Sequence, residues 1–357
     1  MPRKSRENPA IRDFILRQVA ANPGTIASLA AAKFGITRAA VAGYLRRLVA
    51  EGLLLSEGKT RARTYARKPI AQIGFKVKLS HAMAEDAVWR IRVAPHLTGV
   101  TRNVLDICQY GFTEILNNCG DHSEGKSARI EVTRYFDEIN ILIADDGVGI
   151  FNKIRRDFNL LDPRHALLEL SKGRLTSDAK RHAGEGIFFS SRMFNSFSIL
   201  SGGLFYVRTM MFGSDWLIET GDEAKTTDGT WVRMVISTAA EWTTREVFDK
   251  FQTPGAISFR KTHVPVKLGR YPGEQLVSRS QAKRILARFS EFSEVMLDFE
   301  GIDQIGQAFA DEIFRVFPLQ HPDVSVVSLN ESPDVRRMIE HVRAPNRLAV
   351  PSRPEHS

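Results

Sequence analysis

The stretch FTEILNNCGDHS, residues 112–123, decides how the middle of this chain is read. Helical spacing places Cys108, Phe112, Ile115 and Cys119 on one side, which makes a core-facing stripe. Glu114, Asn118, Asp121 and His122 fall on the opposite side. Polar residues so spaced form either the solvated back of an amphipathic helix or one wall of a polar site. The helix alone leaves both readings open.

The neighbouring sequence narrows the choice. ARIEVTRYF and EINILIADD are alternating or β-branched runs joined by a short polar turn, which predicts an antiparallel hairpin. The second run leads into DDGVGI, residues 145–150, where a strand-end aspartate stands beside glycines at 147 and 149. Backbone there can turn sharply and come close to a ligand. Further on, HAGEGIFFSSRMF sets Gly184 and Gly186 ahead of an apolar, helix-like run whose first amides could meet phosphate. DGTWVRMVIS then places Thr230 at the start of another strand. Each piece is weak alone, since two glycines one residue apart are common.

In this order and setting the four stretches together resemble the GHKL (HATPase_c) ATP-binding domains shared by gyrase, Hsp90, MutL, histidine kinases and anti-sigma-factor serine kinases. The resemblance covers roughly residues 75–240. It implies an α/β sandwich, a mixed sheet with helices on one face, that binds ATP with Mg2+. It implies Asn118 as the Mg2+ ligand, an amide oxygen suiting that hard cation. Glu114 would be the general base, orienting a water in an ATPase or the acceptor hydroxyl in a kinase. Asp145 would accept a hydrogen bond from the adenine amino group, with Gly147 and Gly149 leaving room for base and ribose. Gly184 and Gly186 would frame the triphosphate, and Thr230 would support Asp145 through water. Between the glycine pairs, SKGRLTSDAKRHAGEG reads as a lid, with Lys172, Arg174, Lys180 and Arg181 as candidate phosphate contacts or merely as charges of a solvated loop. His122 stands where anti-sigma-factor kinases often carry a histidine. His81 follows a serine, faintly as in a histidine-kinase phosphoacceptor box, but the proline usual in that box is absent.

The net charge of +9 is unevenly spread. Residues 1–68 hold fourteen Lys and Arg against four Asp and Glu, while the remainder is close to neutral. A small, strongly basic segment is the electrostatic footprint of a polyanion-binding module. Its pattern predicts three short helices and a hairpin: Ile11, Phe14, Ile15 and Val19 in the first, Ile26, Leu29, Ala30 and Phe34 in the second, Val41, Tyr44, Leu45, Leu48 and Val49 in the third. Arg38, Arg46 and Arg47 remain on exposed faces of the third helix, and Lys59, Arg61 and Arg63 project from the hairpin around Gly58. The segment resembles a winged helix-turn-helix, which implies DNA binding with the third helix in the major groove and the hairpin on the backbone. A basic helix-turn-helix that binds protein is the alternative.

Residues 245–345 alternate strands and helices, with strands expected near AISF, VMLDFEGI and DVSVVSLN and a final helix capped by Ser332. LDFEGIDQIGQAFADEIF resembles the STAS-like domain of unknown function (DUF4325-type) that can follow GHKL modules, and more distantly the STAS anti-sigma-factor antagonists. In those antagonists a phosphorylatable hydroxyl opens the helix after the acidic strand. Here Gly306, Gln307 and Ala308 supply none, so docking or assembly is the expected role. Asp298, Glu300 and Asp303 read as a strand-end alternation rather than a metal cluster.

The sequence thus predicts an α+β multidomain chain: a winged helix-turn-helix at 1–68, a GHKL domain at 69–240, a small α/β STAS-like domain at 241–345 and a flexible tail at 346–357. Cys108 and Cys119 are too few and too far apart along one helix to form a disulfide. No apolar run approaches a membrane span and no secretory leader is seen, so the cytoplasm is the expected compartment. The expected function is an ATP-binding regulator that holds DNA and uses a Mg-ATP switch to control assembly, as a homodimer, or docking of a protein partner on the STAS-like domain. The alternatives are a serine/threonine kinase acting on a separate partner and a slow ATPase coupled to dimerisation.

Overall fold

A computed structural model describes residues 8–59, 62–81, 83–160, 162–175, 184–210, 214–219, 228–252, 259–271 and 273–344. Its N-terminal part is three helices, α1 (Pro9–Gln18), α2 (Ile26–Phe34) and α3 (Arg38–Ala50), followed by an antiparallel pair, β1 (Leu54–Glu57) and β2 (Thr64–Arg67). Local chemistry sets the ends. Asn8 accepts from the Ala10 N–H to start α1, Thr37 accepts from Ala40 to start α3, and Gly35, at φ 63°, ends α2 in the left-handed region. Ile11, Ile15, Val19, Ile26, Val41, Leu45, Leu48 and Leu54 close a core of their own. Arg67 ties this module to the central part of the chain: it pairs with Asp137 and, at 2.7 Å, with Glu138, and lies 4.3 Å over the Tyr135 ring.

The central part begins with β3 (Ala71–Lys78) and α4 (Glu85–Val88), which runs on as a π-helical turn. Then come α5 (Arg102–His122), β4 (Ser127–Arg134), β5 (Glu138–Asp145), α6 (Ile150–Asp157), α7 (Pro163–Lys172), α8 (Gly186–Met193), β6 (Ser196–Ser201), β7 (Leu204–Thr209), β8 (Ser214–Glu219) and β9 (Thr230–Ser237). The strands form one sheet in the order β3-β4-β5-β9-β6-β7-β8. Alternation along them is clean: Ile130, Val132, Ile139, Ile141, Ile143, Val232, Met234 and Ile236 are buried, whereas Arg129, Trp231 and Arg233 are exposed. The expected mixed sheet is corrected: every adjacent pair is antiparallel. β5 and β6, joined by the helical crossover, point the same way, but β9 inserts between them and pairs antiparallel with both.

The last part holds α9 (Thr244–Asp249), β10 (Lys261–Pro265), α10 (Arg279–Leu286), β11 (Glu294–Asp298), α11 (Gln307–Asp311), α12 (Phe317–Gln320), β12 (Ser325–Leu329) and α13 (Pro333–Arg343). β10, β11 and β12 form a parallel sheet in that order. The strand expected at AISF lies largely outside the described residues, and the first strand of this sheet is KTHVP instead. The two sheets share one hydrophobic core, in which Phe188 and Phe189 of α8 pack edge-on or tilted against Phe251 and Phe259. Among the described residues no helix is long and apolar enough to cross a membrane. The segment expected as a flexible tail falls outside those residues.

Candidate functional site

α5 lies on the sheet with Val104, Ile107, Cys108, Phe112, Ile115 and Cys119 buried. Its other side borders a cavity of about 370 Å³ between α5, α6, the start of α8 and the ends of β5 and β9. Glu114, Asn118, Asp145, Gly149, Gly184, Gly186 and Thr230, residues from four separated stretches, line it together. Ile115, Ile150, Ile154, Phe158, Leu170 and Val232 supply apolar wall.

Asp145 ends β5 and is only 6% exposed. Its Oδ1 accepts from the Gly147 N–H (2.9 Å) and the Thr230 N–H (3.2 Å), and the Cys119 thiol lies 3.7 Å from Oδ2. Burial raises its pKa and these donors only partly offset that. Thr230 therefore supports Asp145 directly through its backbone, while its hydroxyl accepts from the Ile150 N–H at 2.9 Å. Gly147 does not border the cavity. It is where the chain passes Ser123 so closely that a Cβ would overlap the Ser123 carbonyl. Gly149, at φ 84°, turns the chain from β5 into α6.

Gly184 also has positive φ, 68°, and packs on Leu175, whose N–H donates to its carbonyl at 3.2 Å. Gly186 opens α8 against Glu114: a Cβ there would overlap the Glu114 carboxylate. Two further groups join this corner. Glu185 lines the cavity with its pKa raised by burial, and Tyr110 lines it with its phenol pushed up by burial and then by the charges of Glu114 and Glu185. Sequence reasoning misses both. Tyr110 stands one turn before Glu114, so the stripe on α5 starts earlier than its charged members show. Asn117, Ser123, Lys153, Asp157 and the expected His122 add to the polar lining, with Lys153 bonded to Asp157 and Glu124 at 3.1 Å each.

Two of the candidate phosphate contacts lie away from the cavity. Lys172 does not reach the cavity: it is fully buried, its ammonium bonded to Glu169 (2.6 Å) and to the Ala287 carbonyl (2.8 Å). Burial lowers its pKa and Glu169 counters it. Arg174 likewise turns away, donating to the Glu291 carbonyl at 2.6 Å. Asp121, on the polar side of α5, pairs with His81 at 3.0 Å and does not line the cavity. Lys180 and Arg181 lie outside the described residues.

On the N-terminal module, Arg38, Arg46, Arg47, Lys59 and Arg63 are exposed, with Arg47 over the Tyr44 ring at 4.7 Å. Arg61 lies outside the described residues. In the C-terminal sheet, Asp298 accepts from Asn330 and from the Glu300 N–H, both at 2.9 Å, and meets His263 Nε2 at 3.1 Å. Burial opposes its ionisation, but these partners win and hold its pKa at about 2. Among the described residues no three His, Cys, Asp or Glu side chains form a metal-holding group.

Comparison with protein families matches residues 281–336 to a STAS-like domain of unknown function (DUF4325). The match begins inside α10 and ends inside α13, leaving β10 outside it although β10 pairs with β11 in the same sheet. No curated protein matches the chain.

Proposed function

We propose that the chain is a nucleotide-responsive, DNA-binding regulator whose central domain is of the GHKL kind and whose N-terminal module is a winged helix. The observation that carries this reading is the convergence of Asp145, Asn118, Glu114 and the glycine turns on one cavity of about 370 Å³. That volume lies in the range of small-ligand sites, roughly 300–1,000 Å³. An apolar wall with one buried carboxylate suits a purine, whose amino group donates to Asp145. The polar lining includes Glu114, Glu185 and Asp157 beside Lys153. A triphosphate enters so acidic a cavity with a divalent cation rather than alone.

Asn118 fits Mg2+ as a single hard oxygen ligand, the rest of the shell coming from water and phosphate, so no multi-residue metal group is needed. Bound there, Mg2+ would neutralise phosphate charge. Glu114, one helical turn from Asn118, is placed to accept a proton from a water or hydroxyl. Exposed Arg46 and Arg47 on α3, with Lys59 and Arg63 on the hairpin, form the DNA-facing surface. The STAS-like domain serves protein docking. A second reading, kinase action on a separate partner, is favoured by Glu114 in the cavity. The fused domain is not its substrate, because α11 starts from Gly306 and Gln307 without a hydroxyl.

The test is binding and turnover of labelled Mg-ATP, with and without DNA. Asp145→Asn should lose binding, and Glu114→Ala should bind but lose any turnover. Equal binding by wild type and Asp145→Asn would refute the site.

A further inference from the structure

The rim of the cavity is gripped from outside by the C-terminal domain. Gly173, Arg174 and Leu175 leave the end of α7, and Leu175 and Gly184 line the cavity. Behind them lies the turn from Ala287 to Glu291 that joins α10 to β11. Arg288 sits there at φ 64°, a left-handed conformation that costs a non-glycine residue about 1 kcal/mol or more and persists where surrounding contacts enforce it. Its Nη2 donates to the Arg174 carbonyl (2.7 Å) and the Gly173 carbonyl (3.2 Å), and its Nη1 to Glu169 (3.3 Å). Nε and Nη2 also reach the two Glu291 oxygens at 2.9 and 2.7 Å. The grip is returned, since Lys172 donates to the Ala287 carbonyl and Arg174 to that of Glu291.

We propose that Arg288 is a positioning residue for the cavity, coupling its occupancy to the C-terminal domain through Gly173–Leu175. This inference rests on the nucleotide reading above. Arg288 touches no cavity atom; it fixes the carbonyls of the two residues preceding Leu175, so a ligand pressing on Leu175 and Gly184 acts on the 287–291 turn. A planar fork with five N–H donors serves a carboxylate on each side and two carbonyls at once, which lysine cannot. Coupling of this kind is reciprocal: whatever moves the turn changes ligand affinity, and ligand steadies the turn by the same factor.

The experiment uses the full chain as wild type, Arg288→Lys and Asp145→Asn, with a Mg-bound non-hydrolysable ATP analogue as probe. Affinity, melting midpoint and hydrogen exchange at residues 287–292 are measured, where the Glu291 and Phe292 amides bond to Arg288 and Phe289 carbonyls. In wild type the analogue slows exchange in this turn, which lies outside the cavity. Arg288→Lys binds about tenfold more weakly and loses that protection while still melting cooperatively. Glu291→Gln gives the same result in weaker form and serves if Arg288→Lys does not fold. Wild-type binding with no change of exchange at 287–292, or unchanged affinity in the variants, overturns the coupling alone. No binding by wild type overturns the nucleotide reading and this inference with it.

Discussion

Gly186 shows how closely the site is built. A methyl group there meets the tip of Glu114, a movable side chain, while the backbone conformation suits alanine and the helix gains by up to about 1 kcal/mol. Gly186→Ala is therefore expected to keep or raise the melting temperature and to weaken binding of the ATP analogue about tenfold, read by parallel thermal and binding titrations. Asp298 sets a pH dependence elsewhere. Its folded pKa, about 2, lies below the ordinary aspartate value, so its contribution is complete above pH 4 and is lost as pH falls towards 2. The shift corresponds to about 2 kcal/mol. Asp298→Asn should cost roughly that at pH 7, with the gap to wild type closing between pH 4 and 2 in denaturant titrations. Glu114, Asn118 and Asp145 are legible in the sequence because helix spacing or a strand end fixes each one locally. Lys172 is not, because one of the two groups that hold it, the Ala287 carbonyl, lies 115 residues away.

At the scale of elements, the N-terminal helices are readable from their caps and apolar spacing, which local sequence determines. α7 escapes a sequence reading for the opposite reason. Every residue from Ala166 to Lys172 is buried, the polar Glu169, Ser171 and Lys172 included, so its burial does not follow the apolar stripe that sequence spacing reveals. β10 is hidden by its terminal Pro265, and the antiparallel character of the large sheet by the insertion of β9, which pairs with strands far from it in sequence. α3 carries the prediction that belongs here. Removing Arg46 and Arg47 together should weaken binding of a DNA duplex and reduce the slope of log K against log salt by about 2. An unchanged slope would turn α3 over to a protein partner.

As a whole, the described chain has two cores rather than three. The N-terminal module closes its own, while the aromatic cluster of Phe188, Phe189, Phe251 and Phe259 binds the two sheets together across residue 240. The sequence suggests separate central and C-terminal units because their strand patterns differ, but a shared core leaves no such mark on the pattern. Calorimetry should accordingly resolve a small transition for the module and one large transition for everything after it. A chain ending at residue 240 should lose the large transition, since it uncovers Phe188 and Phe189. Within that joint body sits Cys119, pressed against Asp145, its thiol buried and its pKa pushed well up. Alkylating reagents attack thiolate, and here they find none until α5 lifts from β5. The protein thus carries its own chemical stopwatch: the rate at which this sulfur becomes modifiable times the parting of helix from strand at the floor of the cleft.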